Sequence, residues 1–221
     1  MQLNSLTAIS PLDGRYASAT RTLAPYFSEY ALIHYRVRVE VEYFIALTYA
    51  LPELADFSKE LESSLRNIYQ NFSEADATAI KEIEKTTNHD VKAVEYFVKE
   101  KAVSVGLERW AEFVHFGLTS QDINNTAIPM AIRDAMREVM IPVLVSLRDD
   151  LASLSADWDE IPMLARTHGQ PATPTRLGKE IAVFRERLDD EMITMMSTRY
   201  SGKFGGATGN LNAHRVAYPS V

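Results

Sequence analysis

The segment Arg166-Thr167-His168-Gly169-Gln170-Pro171-Ala172-Thr173-Pro174-Thr175 can neither continue a helix nor serve as a central strand. Proline lacks the N–H that both ladders need, and Gly169 adds conformational freedom between the prolines and the preceding helix. Long stretches of helical periodicity lie on either side, so the chain must break here. A plain connector needs only turn residues. This one carries an arginine, a histidine, a glutamine and three threonines within ten residues, and loops held by a rigid scaffold are where chemistry tends to sit. His168 is the side chain here whose ordinary pKa, about 6.5, lets it give and take protons near neutrality. Two readings compete for it: a surface-loop histidine and a functional one.

The rest of the chain reads as helices separated by short polar breaks. Residues 1–27 are irregular, with turn chemistry at Ser10-Pro11-Leu12-Asp13-Gly14-Arg15-Tyr16. Ser28 is the expected N-cap of a helix to about Ala50, with Leu32, Tyr35, Val39, Tyr43 and Ala46 on one face. Arg36 to Tyr43 also alternates apolar and polar, as a strand would. A run of more than about 20 residues without a turn signal favours helix. Pro52 ends it. A second helix is expected over 58–72. A third, capped by Ser73, stops at Thr86-Thr87-Asn88-His89, and a fourth is capped by Asp90 with Val91, Val94, Phe97 and Val98 inward. Trp110 to Phe116 reads as a short helix ended by Gly117.

Thr119-Ser120-Gln121-Asp122 resembles a capping box. It opens a long helix to about Leu154 that Pro129 and Pro142 should bend. Leu177 to about Tyr200 is helical again, and a glycine-rich run follows over 202–209. No strand ladder is expected. The fold class is all-α: an N-terminal helical domain over 1–110, then the front part of a long-helix bundle over 111–221. Two long helices and a loop offer few partners for their apolar faces, and Tyr218-Pro219-Ser220-Val221 brings no closing element. The chain is therefore expected to be a fragment, or to complete its core with helices of another polypeptide.

Composition narrows the function classes. Hydrophobic residues make up 46% and charged residues 24% of 221, a soluble globular balance. No run approaches the roughly 20 apolar residues of a membrane span. Met1-Gln2-Leu3-Asn4-Ser5 has neither the basic nor the apolar region of a secretory signal. There are no cysteines, which removes thiol nucleophiles and Cys-based zinc sites and fits a cytoplasmic protein. A net charge of −7 argues against general nucleic-acid binding. It leaves room for one anionic small molecule in a locally positive pocket.

Three breaks share one pattern: Thr86-Thr87-Asn88-His89-Asp90, Thr119-Ser120-Gln121-Asp122 and Arg166-Thr167-His168-Gly169-Gln170. The first two lie at helix starts, where free N–H groups and the positive dipole end favour anions. A carboxylate or phosphate bound there gains hydrogen bonds worth roughly 1.5–3 kcal/mol each. Plain capping explains Thr119, Ser120 and Asp90 equally well, and a local backbone bond explains His89. His34 and His115 fall within expected helices and read as satisfied core or boundary residues rather than ligands; His214 is open. No HExxH or paired carboxylate–histidine spacing points to a metal, the glycine run lacks a Walker ending, and Ser120 lacks a G-x-S-x-G context.

Taken in order, these segments resemble the fumarase/aspartase superfamily of elimination enzymes, and within it the bacterial adenylosuccinate lyases. The likeness runs through Ser10 to Tyr16, Thr86 to Tyr96, His115-Phe116 with Thr119 to Asn125, Arg166 to Pro174, and Gly206-Ala207-Thr208-Gly209-Asn210. It implies β-elimination that splits a C–N bond and releases fumarate, from adenylosuccinate to give AMP and from the succinylaminoimidazole carboxamide ribotide, with no cofactor or metal. By the resemblance His168 is the general acid. Arg15 and Tyr16 contact phosphate or nucleotide; Asn88, His89 and Asp90 form a second binding segment. Thr119 and Ser120 contact the succinyl carboxylates, with Thr167 and Gln170 also in the substrate site. The family's base is a serine on a later loop that this chain lacks, and its members are about twice as long. The resemblance thus implies an N-terminal half, inactive alone, from a homotetramer with shared active sites. A lyase for another succinyl substrate such as argininosuccinate, and a non-catalytic helical assembly module, are the alternatives.

Overall fold

A computed structural model describes Asn4 and residues 6–220. The reading of the N-terminal five residues as no signal, and the last residue of the closing segment, fall largely on residues outside that set. The described elements are α1 (Ala17–Thr20), α2 (Ala24–Phe27), α3 (Glu29–Ala50), α4 (Leu61–Gln70), α5 (Glu74–Thr87), α6 (Asp90–Ser104), α7 (Ser120–Ala135), α8 (Ile141–Asp157), β1 (Pro162–Thr167), β2 (Gln170–Arg176), α9 (Leu177–Ser197) and α10 (Asn212–Ala217). They fall into two compact units, one of Met1–Arg133 with Tyr200–Val221 and one of Asp134–Arg199.

In the first unit α3 is the spine. Ser28 caps it, its hydroxyl accepting from the Ala31 amide at 3.1 Å, which meets one of the orphan donors of a helix start. Buried positions occur all round it, from Ile33, Val37, Val41 and Phe44 to Tyr35 and Val39. A helix buried on every side belongs in a core, and the charged Arg36, Arg38, Glu40 and Glu42 between its apolar residues are what mimic strand alternation. Its main cluster takes Leu65 from α4, Ile80 from α5, and Val94, Phe97 and Val98 from α6. Each such side chain contributes roughly 1.5–3 kcal/mol on burial. A smaller cluster, Tyr35, Val39, Val91, Ile123, Ala127 and Ala131, joins α3 to the starts of α6 and α7.

Ser73 caps α5 as the sequence implies, and Asp76 completes a reciprocal capping box with it. Other local expectations change. The fourth helix is capped by His89, whose Nδ1 accepts from the Lys92 amide at 3.2 Å, and Asp90 is its first residue. Residues Glu108–Phe113 form a 3-10 helix rather than an α-helix, and His115 lies beyond it at φ 63°. Pro129 sits inside α7 without ending it. Pro142 has no N–H for residue 138 and its ring crowds that carbonyl; the backbone answers with a π turn over Met136–Met140.

The second unit pairs α8 with α9 around a β-hairpin, which corrects the expectation of no strands. β1 and β2 pair antiparallel from Pro162↔Arg176 to Thr167↔Gln170, with an irregularity between Leu164 and Arg166. Pro171 and Pro174 are tolerated because a two-stranded sheet has only edges. Ser155 Oγ donates to the Gly178 carbonyl at 2.8 Å and pins α9 to α8. Within this unit Val143, Leu147, Leu154, Phe184, Ile193 and Met196 remain exposed.

Candidate active site

Arg15 and Tyr16 lie exposed in the turn before α1, where the Arg15 guanidinium stacks 4.8 Å from the centre of the Tyr16 ring. Asn88 closes α5 in the left-handed conformation at φ 50°, a geometry asparagine tolerates better than most residues. Thr87 Oγ1 donates to the His89 carbonyl at 3.0 Å. Burial works to raise the Asp90 carboxyl, but the Val91 amide and the Arg36 guanidinium outweigh it and hold the group below the usual carboxylate range. Thr119 and Ser120 are half-buried at the start of α7, and the Thr119 N–H donates to Asp122 Oδ2 at 2.9 Å.

Buried polar residues tie these breaks together, and sequence reasoning gave them no role. Arg36, 5% exposed, donates from Nη2 to Asp90 Oδ2 at 2.7 Å and from Nε to Asn124 Oδ1 at 2.8 Å. Glu40, fully buried, lies with Oε1 2.5 Å from His115 Nδ1. Tyr43 donates its hydroxyl to the Phe116 carbonyl at 2.6 Å and sits 2.6 Å from His214 Nε2; burial pushes that hydroxyl up, so it stays a donor. Arg36, Glu40 and Tyr43 are spaced four and three apart, hence on one face of α3. The available signal was charge inside an otherwise apolar helix. The partners lie far along the chain, from Asp90 to His214, and no local pattern pairs them with α3.

Asp122 performs a fourth linkage. Its carboxylate accepts from the amides of Thr119, Gly205 and Gly206 and from Lys203 Nζ at 2.7 Å. Burial works to raise it, but Lys203 and the Gly205 and Thr119 amides prevail and hold it low. The glycine-rich run is thereby fastened to the start of α7. Gly117 lets this happen closely: at φ 70°, a Cβ there would stand 2.5 Å from His214 Cε1. The structure therefore brings the 88–90, 115–125 and 203–214 segments together within one unit.

His168, Thr167 and Gln170 belong to the other unit. His168 and Gly169 are the two-residue turn of the hairpin, at φ 50° and 76°, the positive values that a type I′ turn requires. Thr167 and Gln170 face each other across it, and His168 is exposed at its tip. A histidine in this position is strained by about 1–2 kcal/mol relative to glycine. Among the described residues, the non-glycine positions with positive φ are Asn88, His115, His168 and Leu211. Three of these lie in or beside the polar breaks, and such outliers gather where geometry serves function. The described residues include no group of three or more metal-ligating side chains close enough to share an ion, and no helix long and apolar enough to cross a membrane.

A family profile described as "Lyase" matches residues 14–221. Among curated relatives, adenylosuccinate lyase of Dictyostelium discoideum is 56% identical and that of Escherichia coli strain K12 is 45% identical. Each match takes in 100% of this chain and 49% of the relative. The chain thus spans about half the length of the curated relatives it matches. A solved fumarate lyase from Mesorhizobium sp. BNC1 shares the fold at TM-score 0.66 and 24% identity, over 87% of this chain and 44% of that one. With the profile running through nearly all of its residues, the chain belongs to this lyase family of the fumarase/aspartase superfamily.

Proposed function

We propose that this chain is the acid-bearing N-terminal half of a lyase that releases fumarate by β-elimination from adenylosuccinate, leaving AMP, and from the succinylaminoimidazole carboxamide ribotide. The full-chain identity to adenylosuccinate lyases carries the reading. The geometry agrees with it. The helix starts at Asp90 and Ser120 carry polar side chains and positive dipole ends that favour a succinyl dianion, while the Val91, Lys92 and Thr119 amides are already held by Asp90, His89 and Asp122. His168 stands exposed on a rigid turn, suited to reach a ligand.

In this reaction a base removes a proton from the succinyl carbon next to a carboxylate. The C–N bond then breaks, its electrons pass to the departing nitrogen, and His168 delivers the proton that nitrogen takes up. Charge that develops on the carboxylate is met by preorganised donors at Thr119 and Ser120. Arg15 and Tyr16 hold the phosphate or nucleotide; Asn88, His89, Asp90, Thr167 and Gln170 line the rest. The base is contributed from outside the chain. The chain works as an N-terminal domain over 1–110 and the front of a bundle over 111–221. The exposed apolar side chains of α8 and α9 are covered in a cytoplasmic homotetramer whose subunits share active sites. Neither nucleic acid nor membrane is a partner.

The product of the whole reading frame, given adenylosuccinate and argininosuccinate in separate assays, tests this. Release of AMP and fumarate from the first alone is expected. Preference for the second overturns the substrate assignment.

A further inference from the structure

Arg36 supports a step beyond that reading. A buried guanidinium persists only where its donors are answered, and here the answers come from two different helix starts. Nη2 holds Asp90, the first residue of α6, at 2.7 Å, and Nε holds Asn124, near the start of α7, at 2.8 Å. The apolar cluster of Tyr35, Val39, Val91, Ile123 and Ala127 draws the same three helices together. Apolar contacts are not directional, so they leave the angle of each helix start loosely set. A planar fork with fixed donor directions sets it, and a lysine, with one compact charge on a flexible stem, does not.

We propose that Arg36 is a positioning residue that fixes the separation of the 88–90 and 119–120 segments by holding Asp90 and Asn124 at once. It does so without touching substrate. This rests on the reading of those segments as substrate contacts. A dianion gripped from two helix starts is bound less tightly when their spacing shifts, because its two carboxylates no longer meet both starts at once, and such a loss of binding shows in KM rather than in kcat.

The test uses the whole protein with Arg36→Lys and Asn124→Ala, in two measurements. Amide hydrogen exchange is followed at Lys92 and Thr119, whose N–H groups bond to His89 Nδ1 and Asp122 Oδ2. Arg36→Lys speeds both by about tenfold or more, whereas Asn124→Ala speeds Thr119 alone. In the second measurement Arg36→Lys raises KM for adenylosuccinate about tenfold, with kcat less affected. Unchanged exchange at either segment in Arg36→Lys overturns the bridge. A lowered thermal midpoint with unchanged KM reduces Arg36 to a structural residue and overturns its positioning role. If the unsubstituted protein releases no fumarate, the lyase reading falls, and the exchange result still decides the bridge.

Discussion

Oε1 of Glu40 lies 2.5 Å from Nδ1 of His115, across 75 residues of sequence, and the other carboxylate oxygen is buried with no partner among the described residues. Burial works to lower His115, but the hydrogen bond and charge of Glu40 outweigh it and hold the imidazole above its usual range. Burial also pushes the Glu40 carboxyl up. A pair with both groups raised keeps a proton that the unfolded chain gives up.

The pH consequence follows from that sign. Stability from a raised imidazole is fully present below its ordinary value of about 6.5 and is lost as pH rises through the raised one. Glu40→Gln is expected to lower stability by about 2 kcal/mol near pH 6 and by less at pH 9. Urea unfolding at a series of pH values checks it; a difference that is flat with pH would mean that the proton is not shared.

Asp122 predicts the opposite limb. A depressed carboxyl stabilises above its unfolded pKa of about 3.9, and the contribution is lost as pH falls through the folded value. Asp122→Asn turns an amide group towards donors, leaving some of them unanswered, and is expected to cost about 3–5 kcal/mol at neutral pH. Gly205 and Gly206 should lose amide protection at the same time, as seen by hydrogen exchange. Retained protection would mean that the glycine-rich run is held by something other than this carboxylate.

His168 separates fold from chemistry. Its φ of 50° suits glycine better than histidine, so His168→Gly should leave the hairpin intact and raise stability by up to about 1 kcal/mol. If His168 is the acid that the proposed function makes it, the same change should reduce turnover of the whole protein by about 10²-fold or more. Thermal unfolding and steady-state kinetics on the same preparation check both halves. Full activity in a stabilised variant would make His168 a turn residue only.

The legible parts of this fold are those written locally. Ser28 and Ser73 cap their helices because the signal sits within three residues of each N-cap. His89, not the expected Asp90, caps α6; imidazole is an uncommon capping acceptor and aspartate a common one, so the sequence pattern favours Asp90. The hairpin escaped notice because Pro171 and Pro174 argue against strands unless both strands are edges. His168 and Gly169 resemble no Asn-Gly turn, although they occupy that geometry. Among the site residues, the polar breaks were legible from composition and punctuation. The long-range partners behind them are not: Arg36 meets Asn124, Glu40 meets His115 and Asp122 meets Gly205 at separations of 88, 75 and 83 residues, at which no periodic pattern in one sequence reports contact, whereas the bond of Asp122 to the Thr119 amide follows from its capping-box spacing.

On the proposed function this chain brings the acid and the substrate contacts of a fumarate-releasing lyase, and the base comes from outside it. Fumarate release from adenylosuccinate, followed by ultraviolet absorbance, tests this most directly when the 221-residue chain and the whole reading frame's product are assayed side by side. Turnover by the whole product and none by the chain alone is expected. Robust release by the 221-residue chain would contradict it.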